Sequence, residues 1–271
     1  MTTRLVLVLA IVVSACKGEE GDSPNDPEKT NLTVLNNNVL YCDPLEEAEE
    51  LYYARRDLLI AELSELQPDV MAIQEASNCF VFGDDQKTID IVVDGLANNG
   101  LNYGSNFWIS EGYEGIWEEG LAFIWNEETV EVDEEEILCS WLSDQYNLGM
   151  DIIKSLCRIG VTVGDKETMV FNTHLDARDD VVNEAQTLEV AALLQERLPE
   201  GQAGVFTGDL NRHDGEGYFT PDEWSLLKKD HVDYIFVKNI VESAIVETTV
   251  LPFGDDISDH NALWLEINLT L

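Results

Sequence analysis

The stretch Gly208-Asp209-Leu210-Asn211 constrains the fold more than any other. It follows the apolar run Ala203-Gly204-Val205-Phe206-Thr207 and leads into the polar, glycine-rich His213-Asp214-Gly215-Glu216-Gly217. A short β-prone run that stops at glycine and then presents an acid and an amide reads as a buried strand delivering two polar side chains at its C-terminal mouth. Layered enzymes place their chemistry there. Alone, the tetrapeptide is weak evidence. It gains weight from four other stretches that look like its partners: residues 36–39, Gln74-Glu75, Asn172-Thr173-His174-Leu175 and Ser258-Asp259-His260.

The spacing between these stretches alternates strands with helices. Residues 32–41 (LTVLNNNVLY) alternate apolar and polar and predict the first core strand. Residues 44–66 carry Leu51, Leu58, Leu59, Ala61, Leu63 and Leu66 at helical spacing, and Pro68 ends them. Val70-Met71-Ala72-Ile73 is a continuous apolar run, hence a strand buried on both faces. Residues 88–98 predict a second helix. Residues 181–198 predict a third, with Ala185, Leu188, Ala192 and Leu193 inward. Further strands are expected at 121–125, 158–163, 169–172, 232–237 and 262–269, with 221–229 a short helix or loop and 127–151 an acidic surface excursion. Helices falling between strands fit two mixed sheets packed face to face with helices outside, an α+β four-layer sandwich.

At 271 residues and 45% hydrophobic content the chain can bury one large core. Asp and Glu number 54 against 15 Lys and Arg, a formal charge of -39. That balance argues against a generic nucleic-acid-binding surface, because duplex affinity comes largely from basic side chains on phosphates. An anionic substrate then requires divalent metal in the site, or a saline medium in which the screening length falls to about 3 Å at 1 M.

Met1-Thr2-Thr3-Arg4 and the apolar residues 5–13 have the form of an export signal, too short for a membrane-spanning anchor. Val13-Ser14-Ala15-Cys16 resembles the bacterial lipoprotein signal, with ordinary cleavage near Ala15 as the alternative. The expected organisation is therefore a signal peptide over 1–16 with lipidated Cys16, a flexible acidic tether over 17–31, and a domain over 32–271. The protein is expected in the bacterial cell envelope, held on the membrane by its lipid and acting as a monomer. Cys42, Cys79, Cys139 and Cys157 remain, an even number in an exported chain. Cys42 with Cys79 and Cys139 with Cys157 is the preferred pairing of three.

Phosphodiester cleavage needs a hard cation on the phosphate, a base to deprotonate water, and donors for the charge that develops. Glu75 with Asn38 can hold magnesium. His260, oriented by a carboxylate, can be the base. Asn211 and His174 can donate to phosphoryl oxygens. Each residue alone has a plainer structural reading: a turn amide, a paired acid, or a hydrogen-bonded histidine at a strand end.

Together they carry a resemblance. Leu35-Asn36-Asn37-Asn38-Val39, Pro68-Asp69-Val70 to Gln74-Glu75, Asn172-Thr173-His174-Leu175-Asp176, Gly208-Asp209-Leu210-Asn211, Val232-Asp233-Tyr234-Ile235-Phe236 and Ser258-Asp259-His260 resemble, in order, the motifs of the endonuclease/exonuclease/phosphatase superfamily, which shares the deoxyribonuclease I fold. The resemblance implies a magnesium- or manganese-dependent phosphoesterase. It implies Asn38 and Glu75 at the metal, joined by Asp259 in some relatives, and Asp209 positioning water or metal. Asn38, Asn211 and His174 would lie on the phosphate, and His260 would be the base.

The motifs also depart from the pattern. Asn183 stands where the family often has Arg before Gln186, and His231 where it favours Arg or Lys. Both losses make the face less basic and weaken the case for a polynucleotide. Arg158, Arg178 and Arg212 are the remaining candidates for anion contacts, with surface ion pairs as the alternative. Trp108, Tyr113 and Trp117 either form an aromatic rim for bases or lipid, or pack in the core. The substrate is thus a phosphodiester of nucleic acid or of a phospholipid head group. A sphingomyelinase- or inositol-phosphatase-like enzyme and a catalytically idle binding lipoprotein are the rivals.

Overall fold

A computed structural model describes residues 29–40, 42, 48–82, 87–113, 117–143, 153–220, 223–254 and 256–270, without the side chains of 81, 111–113 and 117. The expected signal peptide, Cys16 and the tether up to residue 28 lie outside the described residues, as do the side chains of Tyr113 and Trp117.

The strands form two sheets. The first has six strands in the order β12 (Ile245–Leu251), β13 (Ala262–Asn268), β1 (Asn31–Asn38), β2 (Val70–Asn78), β4 (Trp117–Asn126), β3 (Tyr103–Tyr113). The second runs β10 (Ser225–Asp230), β11 (Asp233–Lys238), β9 (Ala203–Asp209), β8 (Lys166–His174), β7 (Ser155–Val163), β5 (Glu131–Val132), and β6 (Leu138–Trp141) also pairs with β7. Each sheet is mixed: β1 and β2 are parallel, as are β8 and β9, and the other pairs are antiparallel.

Side-chain alternation explains the layering. Leu32 and Val34 of β1, Val70 and Ala72 of β2 and Leu121, Phe123 and Trp125 of β4 meet Ile159, Val170, Val205 and Ile235 of the second sheet in the inter-sheet core. The opposite parity, Leu35, Met71, Ile73, Ala122 and Ile124, packs beneath α1 (Glu49–Leu66) and α2 (Thr88–Asn98). On the far side Phe171, Phe206 and Phe236 pack against Val190 and Leu194 of α3 (Asp180–Arg197) and against Trp224. The result is the expected four-layer α/β sandwich.

Three expectations are corrected. Leu51 and Leu58 of α1 are exposed, and Tyr52, Leu59 and Leu63 are buried instead. On α3 the buried residues are Asn183, Gln186, Thr187, Val190 and Leu194, while Leu188 lies in solvent. Residues 225–230, expected as helix or loop, form strand β10 because they pair with the β11 edge; tertiary pairing overrides the local preference of Leu-Leu-Lys-Lys. The expected disulfides, Cys42–Cys79 and Cys139–Cys157, are both present, the second joining β6 to β7.

Asn38, Glu75, His174 and Asp209 lie at one end of the sandwich. The other end is closed by Asp69, whose buried carboxylate receives Lys29 Nζ, Thr33 N and Oγ1, and Thr129 Oγ1. Lys29, assigned to the tether from sequence, is therefore packed onto the domain.

Candidate active site

The site is built where β1, β8 and β9 end, beside the middle of β2, which runs on to Asn78. Its floor is a polar layer between the sheets. Gln74 Nε2 donates to Asn36 Oδ1 at 2.8 Å and to Asn172 Oδ1 at 2.6 Å, and Asn172 Nδ2 donates back across the interface to Ile73 O at 2.9 Å. Buried amides need such partners, and these fix the two sheets in register beneath the chemistry.

Glu75 reaches the site through a backbone irregularity. The β2–β4 pairing shifts between Ile73 and Ala76, and Glu75 sits at φ 55° inside that bulge. An extra residue in a strand re-aims its side chain, and a left-handed non-glycine residue is a strained choice often tied to function. Glu75 Oε1 accepts from Asn38 Nδ2 at 2.8 Å and lies 3.8 Å from His174 Nε2. His174 Nδ1 faces Glu119 Oε1 at 3.7 Å on the other side. These separations are too long for hydrogen bonds.

The second half centres on Asp209. Its Oδ1 accepts from Asn211 N at 2.8 Å, and its Oδ2 accepts from Asn38 Nδ2 at 3.1 Å. The same oxygen lies 3.9 Å from both His174 Nε2 and His260 Nε2. His260 is held from behind by Asp233, whose Oδ2 is 2.7 Å from Nδ1. Ser258 Oγ donates to Asn38 O at 2.6 Å and accepts from His260 N at 3.1 Å, which ties the last loop to the end of β1. Ligating atoms of Glu75, Glu119 and His174 lie within 4.8 Å of one another, as do those of Asp209, Asp233 and His260.

The electrostatics follow from this crowding. Burial raises the Asp209 carboxyl, and the charge of Asp233 adds to the effect, bringing it to about 6. Burial pulls the His260 ring down, but Asp233, Asp209 and Asp259 outweigh it and lift the imidazole to about 9. For His174, burial dominates, with Lys154, His260 and Arg178 adding positive charge, and the ring is held well below its ordinary value.

The remaining expected residues divide. Asn211, at φ 50°, donates its amide to Leu175 O at 3.0 Å and stands at the mouth. Arg178 is on the rim, in the loop after His174, where its charge is felt by that ring. The Asp259 side chain is 65% exposed, with Oδ1 3.9 Å from His260 Nε2, on the solvent side of the second cluster. Arg158 is not at the site. Its Nη1 donates to Arg197 O at 2.7 Å, at the end of α3 remote from Asp176, so the phosphate-contact expectation is corrected. Arg212 is occupied by Asp214, by Asn183 and by the Tyr218 hydroxyl and ring. Asn38 stands at the centre of the site: its Oδ1 accepts from Leu40 N at 3.0 Å, and its Nδ2 donates to both Glu75 and Asp209, so it orients the two carboxylates.

Three residues were missed. Glu119 sits in an acidic run that looks like surface, yet it shares the parity of Leu121, Phe123 and Trp125 and is 4% exposed; that parity was the available signal. Asp233 stood in a noted motif, but nothing in the sequence joins it to His260. Asn183, noted as a lost arginine, donates to Asp176 O at 2.7 Å and to Leu210 O at 2.8 Å, binding the His174 and Asp209 loops together.

Two sheets that bring an acid-paired histidine and a ring of buried carboxylates to one mouth define a hydrolase of the nuclease and phosphatase type. Residues 38–260 match the Endonuclease/Exonuclease/phosphatase family, and the chain belongs to it. No curated protein sequence matches significantly. Among solved structures the fold is similar to an endonuclease/exonuclease/phosphatase from Beutenbergia cavernae (17% identity, 89% of this chain and 72% of that one, TM-score 0.66). It is also similar to a humanized D. rerio TDP2 carrying 14 mutations (16% identity, 89% and 100%, TM-score 0.62). A third is the Bacteroides thetaiotaomicron mannosyl-6-phosphatase Bt3783 (14% identity, 86% and 98%, TM-score 0.60).

Members of the family act on phosphodiesters or phosphates with a divalent metal, and the site fits one. Glu75 and Glu119, clustered with His174, and Asp209, clustered with Asp233 and His260, present hard oxygen donors at one largely buried mouth, a set of charges that a cation would compensate.

Proposed function

We propose that the protein is an exported, lipid-anchored phosphodiesterase that uses magnesium or manganese and a histidine-activated water, most simply in nuclease-type hydrolysis. The observation that carries this reading is the 2.7 Å pairing of His260 Nδ1 with Asp233, which turns Nε2 toward Asp209 across the mouth from Glu75.

Each group has a part that its position supports. Glu75, with Asp209 and Glu119 near it, would hold the cation, which supplies charge neutralisation on the phosphate. Asp233 fixes the His260 ring so that Nε2 takes the proton from water. Compensating Asp209 and its neighbours brings His260 back from about 9 toward its ordinary range, where it can act as a base. Asp209 orients the attacking water. Asn38, Asn211 and His174 supply N–H donors for the phosphoryl oxygens.

The monoesterase reading shares every one of these residues and differs only in the rim. Likeness to a mannosyl-6-phosphatase keeps it in view. The intact constellation weighs against an idle scaffold. The test is hydrolysis of DNA, sphingomyelin and an inositol phosphate in parallel, with added magnesium or manganese and with chelator. We expect DNA to be cleaved by wild type and by neither Glu75→Gln nor His260→Ala; full activity in either purified variant overturns the mechanism. Cys16→Ser should release the protein from membranes, and unchanged retention overturns the anchor.

A further inference from the structure

We infer that Trp141 is a stacking platform for one nucleobase of the substrate, seated about two strand spacings from the catalytic phosphate. This rests on the nuclease-type reading and names what lies beside the scissile bond.

Register places it. Leu156 pairs with Thr173, so Ser155 lies beside His174, and Ser155 pairs directly with Trp141. His174, Ser155 and Trp141 thus form one row across β8, β7 and β6. Directly paired residues share a sheet face, and two inter-strand steps put Trp141 about 10 Å from His174. That matches the reach from a phosphate to the base of an adjoining nucleotide. Lateral contacts confirm the face, because Trp141 packs at 6.2 Å against Trp108 of the opposite sheet.

The platform is exposed but held. Trp141 is 59% exposed, although strands usually hide large aromatics. Two residues away, the Cys139–Cys157 disulfide ties its edge strand to β7. Trp108 buttresses the ring and is itself fixed, since its Nε1 donates to Ser155 Oγ at 3.2 Å. Ser155 O in turn accepts from Thr173 Oγ1 at 2.7 Å, next to His174. A rigid, solvent-facing indole loses little freedom on binding a flat ring. Stacking draws its affinity from the face of the base rather than from the phosphates.

Binding tests this without relying on turnover. A short single-stranded oligothymidylate and an abasic oligomer of equal length would be titrated against wild type, Trp141→Ala and Trp141→Phe in the absence of hydrolysis. We expect Trp141→Ala to weaken the thymidylate about tenfold, the loss of one stacked base, and to leave the abasic oligomer unchanged, while Trp141→Phe retains most of the affinity. Equal binding by wild type and Trp141→Ala, an equal loss for both oligomers, or no thymidylate binding at all overturns the inference. If wild type binds as expected yet cleaves neither oligomer, the platform stands and the catalytic reading falls. Preference for phospholipid vesicles over thymidylate, lost in Trp141→Ala, would assign the ring to a lipid surface and also overturn it.

Discussion

Asp233 and His260 come from different sheets, β11 and the loop before β13, yet their side chains meet at 2.7 Å over the mouth of the site. Asp233→Asn should keep the geometry and remove the charge. Hydrolysis should fall about 10²–10⁴-fold, the range for losing a properly poised base. The His260 ring should titrate nearer its ordinary value, read by NMR in metal-free protein. An unshifted ring would refute the pairing.

The same pair makes metal-free stability depend on pH. Asp233, with Asp209 and Asp259, lifts the His260 ring to about 9 in the fold, against an ordinary value of about 6.5. A raised value contributes stability that is fully present below the unfolded pKa and lost as pH rises through the folded one. The stability gap between wild type and His260→Gln, at most about 3 kcal/mol from a shift of this size, should be largest near pH 6. It should close between 6.5 and 9, as followed by denaturant melts in chelator.

Asp209 works in the opposite sense. Its carboxyl is raised to about 6 by burial and by Asp233, so the ionised form costs the fold stability above pH 6, and that cost vanishes below pH 4. Asp209→Asn should therefore stabilise the metal-free protein at pH 7.5 by about 1–2 kcal/mol while removing activity. At pH 4 the gain should be absent.

A divalent cation bound at Glu75 should raise the melting temperature. Magnesium or manganese at a hundred times its dissociation constant stabilises a fold by about 2.7 kcal/mol. Glu75→Gln should abolish most of that rise without lowering the metal-free melting point. A full rise in the variant would place the ion elsewhere.

Asn183 offers a structural counterpart. It donates to Asp176 O and Leu210 O while buried, so Asn183→Ala strands two carbonyls and should cost about 2–3 kcal/mol in chemical denaturation.

Much of this was readable from residues alone because strand ends are punctuated. Gly208 stands one residue before the end of β9, Pro68 precedes β2, and the polar types that follow such punctuation are uncommon in a core. Alternation over 32–41 and the apolar runs at 70–73 and 121–125 located β1, β2 and β4. What escaped reading depended on pairing across the fold. Glu75 is turned into the site by a bulge that only the β4 register reveals. Leu-Leu-Lys-Lys becomes β10 because β11 offers an edge. On α3 the buried stripe is partly amide and hydroxyl, since Asn183 and Gln186 serve the loops of the site; a search for leucines therefore chose the wrong phase. Arg158 looked close to a motif in sequence, but its side chain reaches the far end of α3.

Lys29 meets Asp69 at the start of β1, whereas Asn38 closes its other end. Eight residues of strand separate them by about 25 Å. The contact that seats the first described residues and the chemistry of the mouth therefore sit at opposite ends of a single strand, so a substitution at Lys29 or Asp69 can be judged by stability alone, without disturbing the reacting groups.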